Sequence, residues 1–314
     1  MEWNTRISYR SFHFCEYYSD PLLSDRLTAN HNKLFGNKLN SENFVIGLCL
    51  AQPFQALATK GLYDLHWVGD SQGLPFYLSD EDGNKTENIT DWGLAQFVQH
   101  YQSSSIVIAR SETTKQSSSN LDCHVYARND NADSHNDDKE ITKQAIFHYV
   151  YAVLHDPIYR EKYALNLKRE FPRVPFYTDF WLWANWGEAL MQAHIGYESA
   201  VPFALTRTNI KVAKPKAKLK ADKTKGEIII DEATTLSGIP AMAWDYKLGN
   251  RSALEWVLDQ YKESKPKDPT IREKFNTYQF ADYKEHVIDQ LAKVCTVSVQ
   301  TQEIVVAMVA LIRE

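Results

Sequence analysis

The dipeptide Gly-Lys occurs nowhere in this 314-residue chain. That absence removes the phosphate-cradling loop of nucleotide hydrolases, which needs a spaced glycine, then Gly-Lys and a Ser or Thr. The nearest strings, "FGNKLNSE" and "DGNKTEN", lack the first glycine and put Asn before the Lys. Asn-Pro is missing too, so there is no methyltransferase tetrapeptide of the NPPY type, and no GxSxG nucleophile elbow is present. Cysteine is scarce: Cys15, Cys49, Cys123 and Cys295 stand far apart with no CxxC pair. This excludes a zinc ribbon and a dense disulfide framework, and buried reduced thiols are expected. His148 and His155, seven apart, would share a helix face, but the zinc pattern of two His four apart with a Glu between is missing. No catalytic residue and no metal site is therefore expected. No run of about 18 uncharged apolar residues exists, and "MEWNTRISYRSF" has no apolar signal region. Membrane is thus not an expected partner, and cytoplasm is the default location.

What the chain does contain is core-forming material: 44% apolar residues and 12% aromatics, ample for a globular fold of mixed α+β class. Residues 1–102 read as a mixed strand and helix part. Strands are expected at "RISYRSFHFCEYY", "FVIGLCLA" and "LPFYLS", and helices at "DPLLSDRLTANHNKLF" and at "TDWGLAQFVQHY" with Thr90 or Asp91 as N-cap. Residues 103–140, rich in Ser, Asn and Asp, read as a polar linker or long loop with one short strand at "SIVIA". Residues 141–314 read as mainly helical with a small sheet. Three helices are expected in 141–196, the third ("TDFWLWANWGEALMQAHIG") holding Trp181, Trp183 and Trp186 as core residues. Strands follow over 207–231, then helices over 250–263, 281–293 and 302–311.

Charge is unevenly placed. The stretch "RTNIKVAKPKAKLKADKTKG" (207–226) holds eight Lys or Arg and one Asp, a net +7 in a chain totalling −5, leaving −12 for the rest. If "KPKAKLKADK" is one strand, Lys214, Lys216, Lys218 and Lys220 project to one side as a stripe about 20 Å long, since the side-chain period is two. Such a stripe suits a phosphate backbone; it equally suits an edge strand whose lysines block aggregation. Directly after it, "KGEIIIDEATTL" ends an apolar strand in Asp231-Glu232, the form of a magnesium-holding pair in ATPases. Without a phosphate loop this reads as a strand ending in an acidic turn.

The string "AIFHYVYAVLHDPIYREKYALNLKREFPRVPFY" (145–177), followed by "DFWLWANWGEALM", "KPKAKLKADK" and "TTLSGIPAMAWDYKLGNRSALEW", resembles the C-terminal specificity region of the type ISP restriction-modification enzymes and their relatives. "YRSFHFCEYY" is similar to the family's YRPFD…YY opening, with Ser11 in place of Pro and His13 in place of Asp, and "NITDWGLAQF" also fits. The resemblance implies a region that recognises a double-stranded DNA target. A nuclease, a helicase-like motor and an adenine methyltransferase would lie in the same or a neighbouring polypeptide. S-adenosylmethionine, ATP and Mg are then expected only in those associated domains, with no cofactor in this chain and no enzyme activity of its own. Phosphate contacts are expected from Arg207, Lys211, Lys214, Lys216, Lys218 and Lys220, and base reading from the polar stretch holding Arg110, Lys115, Gln116 and Asn120. The alternative is a docking module for the motor or methyltransferase that reads little DNA.

Overall fold

The computed structural model describes residues 4–18, 29–36, 39–50, 53–80, 82–111, 139–264, 266–274 and 278–312. The fold is mixed α+β. The chain opens with a hairpin, β1 (Asn4–Arg10) and β2 (His13–Tyr18), where one long strand is expected from sequence. The turn is closed by Phe12, a non-glycine residue at φ 56°, whose buried ring packs edge-on against Tyr197, Tyr246 and His194. After α1 (Ala29–Phe35) comes a three-stranded antiparallel sheet of β3 (Val45–Cys49), β4 (Gln55–Thr59) and β5 (Gln72–Pro75), in the order β4-β3-β5. The central strand β3 is buried along its whole length, which is why "VIGLC" reads as a continuous apolar run. A small hairpin, β6 (Tyr77–Ser79) and β7 (Lys85–Glu87), leads to α2 (Asp91–Ser111), capped by Thr90, whose Oγ1 accepts from the Gly93 amide. This helix runs through "SIVIA", replacing the expected short strand and the start of the expected linker.

The helical part begins with α3 (Lys143–Val153), capped by the Thr142 hydroxyl. Pro157 occupies the first turn of α4 (Pro157–Lys162), whose N-cap Asp156 accepts from the Ile158 and Tyr159 amides. The helix expected up to Pro172 stops here; residues 163–169 continue as separate turns around buried Leu167. His155 therefore lies in the corner between α3 and α4, so the helix face expected to be shared with His148 does not form. The third helix matches the expectation: α5 (Phe180–Ile195), with Asp179 as N-cap and Gly196 at its end. Trp183 is fully buried, and Trp181 and Trp186 pack against the same core.

A four-stranded antiparallel sheet follows: β8 (Thr206–Asn209), β9 (Ala217–Asp222), β10 (Glu227–Asp231) and β11 (Thr234–Ser237), ordered β8-β11-β10-β9. Beyond the short ribbon of β12 (Lys247–Leu248) and β13 (Arg251–Ser252), α6 (Ala253–Gln260) starts at a capping box. The Ser252 hydroxyl accepts from the Glu255 amide, and the Glu255 carboxylate accepts from the Ser252 amide. Ser252→Ala is expected to destabilise the protein by about 1 kcal/mol, readable as a lower urea midpoint with an unchanged slope.

After α7 (Pro269–Lys274), a single 31-residue helix, α8 (Phe280–Ala310), replaces the two helices expected at 281–293 and 302–311. Polar residues in its middle are satisfied within the helix: Ser298 and Thr301 donate to the carbonyls of Val294 and Val297, four residues back. At roughly 1.5 Å per residue this helix is about 46 Å long, and it spans two cores. Val287, Leu291 and Val294 join Leu219, Ile228, Ile230 and Leu236 of the four-stranded sheet. Met308 joins Ile46, Leu48 and Ala56 of the three-stranded sheet and the α3–α5 pair. Among the described residues no helix is long and apolar enough to cross a membrane, and no group of His, Cys, Asp or Glu is placed to hold a metal. Cys49 and Cys295 are buried free thiols and Cys15 is half-buried; Cys123 lies outside the described residues.

Candidate nucleic-acid interface

The four-stranded sheet turns one face to α6 and α8 and leaves β9 as an open edge. Register assigns the faces. Ile228 of β10 pairs with Leu236 and Ala221, and Leu236 pairs with Arg207; this row faces the helices. The next row, Lys220, Ile229, Thr235 and Thr208, faces away. Between Lys220 and Ala217 the pairing slips by one residue, so Lys218 and Leu219 together oppose Ile230. Leu219 takes φ 42° in this bulge and turns into the core, while Lys218 and Lys220 on either side stay exposed.

The strand carrying the basic tract thus starts at Ala217, not at Lys214. The expected stripe of four lysines on one strand face is corrected: Lys211, Lys214 and Lys216 lie in the segment leading into β9, where Pro215 supplies no ladder hydrogen bond. This segment is still anchored, because Lys216 and Glu232 exchange backbone contacts: the Glu232 amide donates to the Lys216 carbonyl at 3.1 Å, and the Lys216 amide donates to the Glu232 carboxylate at 3.3 Å. All five lysines are exposed, and none forms an ion pair with a described carboxylate. The geometry therefore keeps a set of unpaired ammonium groups on β9 and on the connection that crosses to it from β8, without the regular repeat of a single strand.

Arg207 is placed differently. Its row faces α8, and its guanidinium forks onto Glu285 with hydrogen bonds of 2.6 and 2.8 Å. Arg110 stands in the last turn of α2, with its side chain outside the described residues; Lys115, Gln116 and Asn120 also lie outside them. Sequence reading passed over two cations near the β9 edge. Lys223 pairs with Glu255 at 2.9 Å, and Lys262 shares Asp259 with Arg251. Lys262, with Arg251 and Lys220, borders a shallow cavity of about 300 Å³. The i, i+3 spacing of Asp259, in the last turn of α6, and Lys262, just past its end, is visible in the sequence, but only the fold brings Lys223 to Glu255. Trp92 at the start of α2, 74% exposed, is another surface feature that periodicity does not single out.

Asp231 is a structural carboxylate. It is 4% exposed; its Oδ1 accepts from the amides of Ala233 and Thr234, and its Oδ2 pairs with Lys284 of α8 at 2.7 Å. Burial disfavours its charge, but Lys284 and the two amides outweigh that cost and hold the carboxyl below its ordinary value. The Asp-Glu pair closes the β10–β11 turn and locks the sheet to α8.

Comparison with known proteins places this geometry. A family model described as the Type ISP C-terminal specificity domain matches residues 2–290. Among solved structures, a DrdV–DNA complex studied by cryo-electron microscopy is similar at a TM-score of 0.79 and 44% identity, over 97% of this chain and 28% of that one. A nuclease-deletion mutant of the Type ISP restriction-modification enzyme LlaGI, in complex with a DNA substrate mimic, shares the fold at a TM-score of 0.69 and 24% identity, over 100% of this chain and 25% of that one. The ATP-dependent Type ISP enzyme LlaBIII, bound to DNA, shares it at 0.72 and 22%, over 100% and 19%. The chain thus spans less than a third of the length of each of these proteins. No curated protein sequence matches it significantly.

Proposed function

The chain belongs to the Type ISP C-terminal specificity domain family, and from that premise we propose that it is a sequence-specific double-stranded DNA recognition module. It would act within a restriction-modification system and position an adenine methyltransferase or endonuclease on its target. The observation that carries this reading is the set of exposed, unpaired lysines on β9 and on the connection that reaches it from β8: Lys218 and Lys220 on the strand, Lys214 and Lys216 just before it, and Lys211 at the β8 end. Ammonium groups held this way displace counterions from a duplex and fix its register, while base edges in the major groove are read by Arg, Asn or Gln donors elsewhere. Arg207 joins the phosphate contacts only if it exchanges Glu285 for a phosphate. The DNA-bound state of DrdV, at 44% identity, supports the same role for this chain.

The test is a binding titration of the purified chain against a random-sequence duplex library at several salt concentrations. Enrichment of a defined site is expected. Replacing Lys214, Lys216, Lys218 and Lys220 by Ala should reduce the salt dependence, log K against log [salt], by about 0.9 per lost phosphate contact. An unchanged slope removes the β9 edge from the interface. The internal pairing of Arg207, Lys223, Arg251 and Lys262 favours the rival reading, a docking module that reads little DNA. Absence of any selected site, with retained binding to the methyltransferase or motor, would establish that rival.

A further inference from the structure

A second group of cations stands across the shallow cavity of about 300 Å³ that separates β9 from α6. The floor of this cavity is apolar, with Leu219 and Leu258 buried, so its charged groups are confined to the rim. On the α6 side helical spacing sets that rim. Glu255 and Asp259, four apart, share one face of α6; Arg251 of β13 precedes this face, and Lys262 follows Asp259 by three residues. Lys223, in the turn between β9 and β10, reaches the same face.

The two carboxylates are unequally shared. Glu255 Oε2 accepts from the Ser252 amide and hydroxyl at 2.8 and 2.9 Å and pairs with Lys223 at 2.9 Å, so it is committed to the helix cap and to that lysine. Asp259 alone serves two cations: Oδ2 faces the Arg251 guanidinium and Oδ1 the Lys262 ammonium. One carboxylate between two cations leaves a surplus positive charge. A further acid at the end of β9, Asp222, is taken up by the Thr224 hydroxyl, the Lys225 amide and the Lys225 ammonium. Lys220, which also borders the cavity, is exposed and forms no ion pair among the described residues.

Arg251 is fixed in direction as well. Its guanidinium lies over the Trp256 ring at 5.5 Å, and that ring is held by Trp256 Nε1 donating to the Leu248 carbonyl at 2.7 Å. Nη1 meets Asp259, while Nε and Nη2 make no hydrogen bond among the described residues and the side chain is 46% exposed. A guanidinium restrained in this way keeps a free edge whose parallel N–H groups match the oxygens of a phosphate.

Resting on the reading of this chain as a duplex-binding module, we propose that Arg251 and Lys262 form a further seat for a backbone phosphodiester, and that Asp259 competes with the phosphate for both. Duplex contact then extends from the β9 lysines across the cavity to α6. The phosphate gains its two cations by displacing the Asp259 carboxylate, so the wild type holds a duplex less tightly than the same cations would without that acid.

The experiment measures duplex affinity against salt concentration for the full chain and for Arg251→Gln, Lys262→Gln, Asp259→Asn and Glu170→Gln, each checked for the wild-type circular dichroism spectrum. Arg251→Gln and Lys262→Gln should each reduce the slope of log K against log [salt] by about 0.9. Asp259→Asn should strengthen duplex binding severalfold, a gain that a purely structural ion pair does not give. Glu170→Gln removes an exposed carboxylate paired with Arg173 between α4 and α5 and should keep the wild-type affinity. An unchanged slope in either cation variant overturns the proposal, as does an Asp259→Asn affinity no higher than that of the wild type. An equal gain in Glu170→Gln would do the same, because it marks a general effect of charge. If replacing Lys214, Lys216 and Lys218 by Ala lowers the slope while Arg251→Gln and Lys262→Gln do not, the seat on α6 falls and the duplex-binding reading stands; a wild-type chain that binds no duplex ends both.

Discussion

Gly187→Ala is expected to destabilise the protein by on the order of 3 kcal/mol, seen as a large drop in the denaturant midpoint or as loss of soluble chain. Gly187 sits on the buried face of α5, where that helix crosses α3. A methyl group there would run into the backbone carbonyl of His148, with the Ala152 amide also close by. Neither obstacle is the end of a flexible side chain, so relief requires the two helices to move apart. That movement would loosen Trp183, Tyr149, Tyr151 and Leu190, all of them fully or almost fully buried at the same contact. The intrinsic helix preference of alanine over glycine favours the variant by about 1 kcal/mol, which is too small to reverse the sign. A control on an exposed face of the same helix, Glu188→Ala, should change stability by less than about 0.5 kcal/mol. If Gly187→Ala melts like that control, the close α3–α5 crossing is wrong.

Part of this architecture was readable before any coordinates, and the division has physical causes. The helix α5 was legible because Asp179 and Gly196 mark its ends and its apolar residues recur with helical period. The single helix α8 was not, because residues 294–301, "VCTVSVQT", are rich in β-branched side chains whose local preference points to strand; burial against two cores overrides it. The hairpin at the N-terminus was hidden for a similar reason: Ser11-Phe12 has none of the Gly, Asn or Asp that two-residue hairpin turns favour, and the aromatic pocket around Phe12 accounts for a non-glycine residue at positive φ. In the basic tract, sequence located the charge but not its pattern. The bulge at Lys218–Leu219 and the pairing of Arg207 with Glu285, 78 residues away, are products of the tertiary fold.

Removing the Lys284 ammonium, as in Lys284→Met, is expected to cost about 3 kcal/mol at pH 7, because it leaves the Asp231 carboxylate buried without its counter-charge. Asp231 would retain the Ala233 and Thr234 amides, so the turn is weakened but not abolished. Lys284 also donates to Thr234 Oγ1 at 2.6 Å, and that bond is lost as well. The pH dependence carries the diagnostic sign. In the wild type the Asp231 carboxyl titrates below its ordinary value. Its stabilisation is therefore complete above the unfolded-state value near 4, and is lost as pH falls through the lower folded-state value. In Lys284→Met the main charge opposing desolvation is gone, so the folded-state value rises and protonating Asp231 no longer costs stability. The gap between wild type and variant, measured by urea unfolding at a series of pH values, should be widest near neutrality and narrow below about pH 4. A constant gap across that range would mean that Lys284 acts through packing of its stem on the sheet rather than through the charge of Asp231.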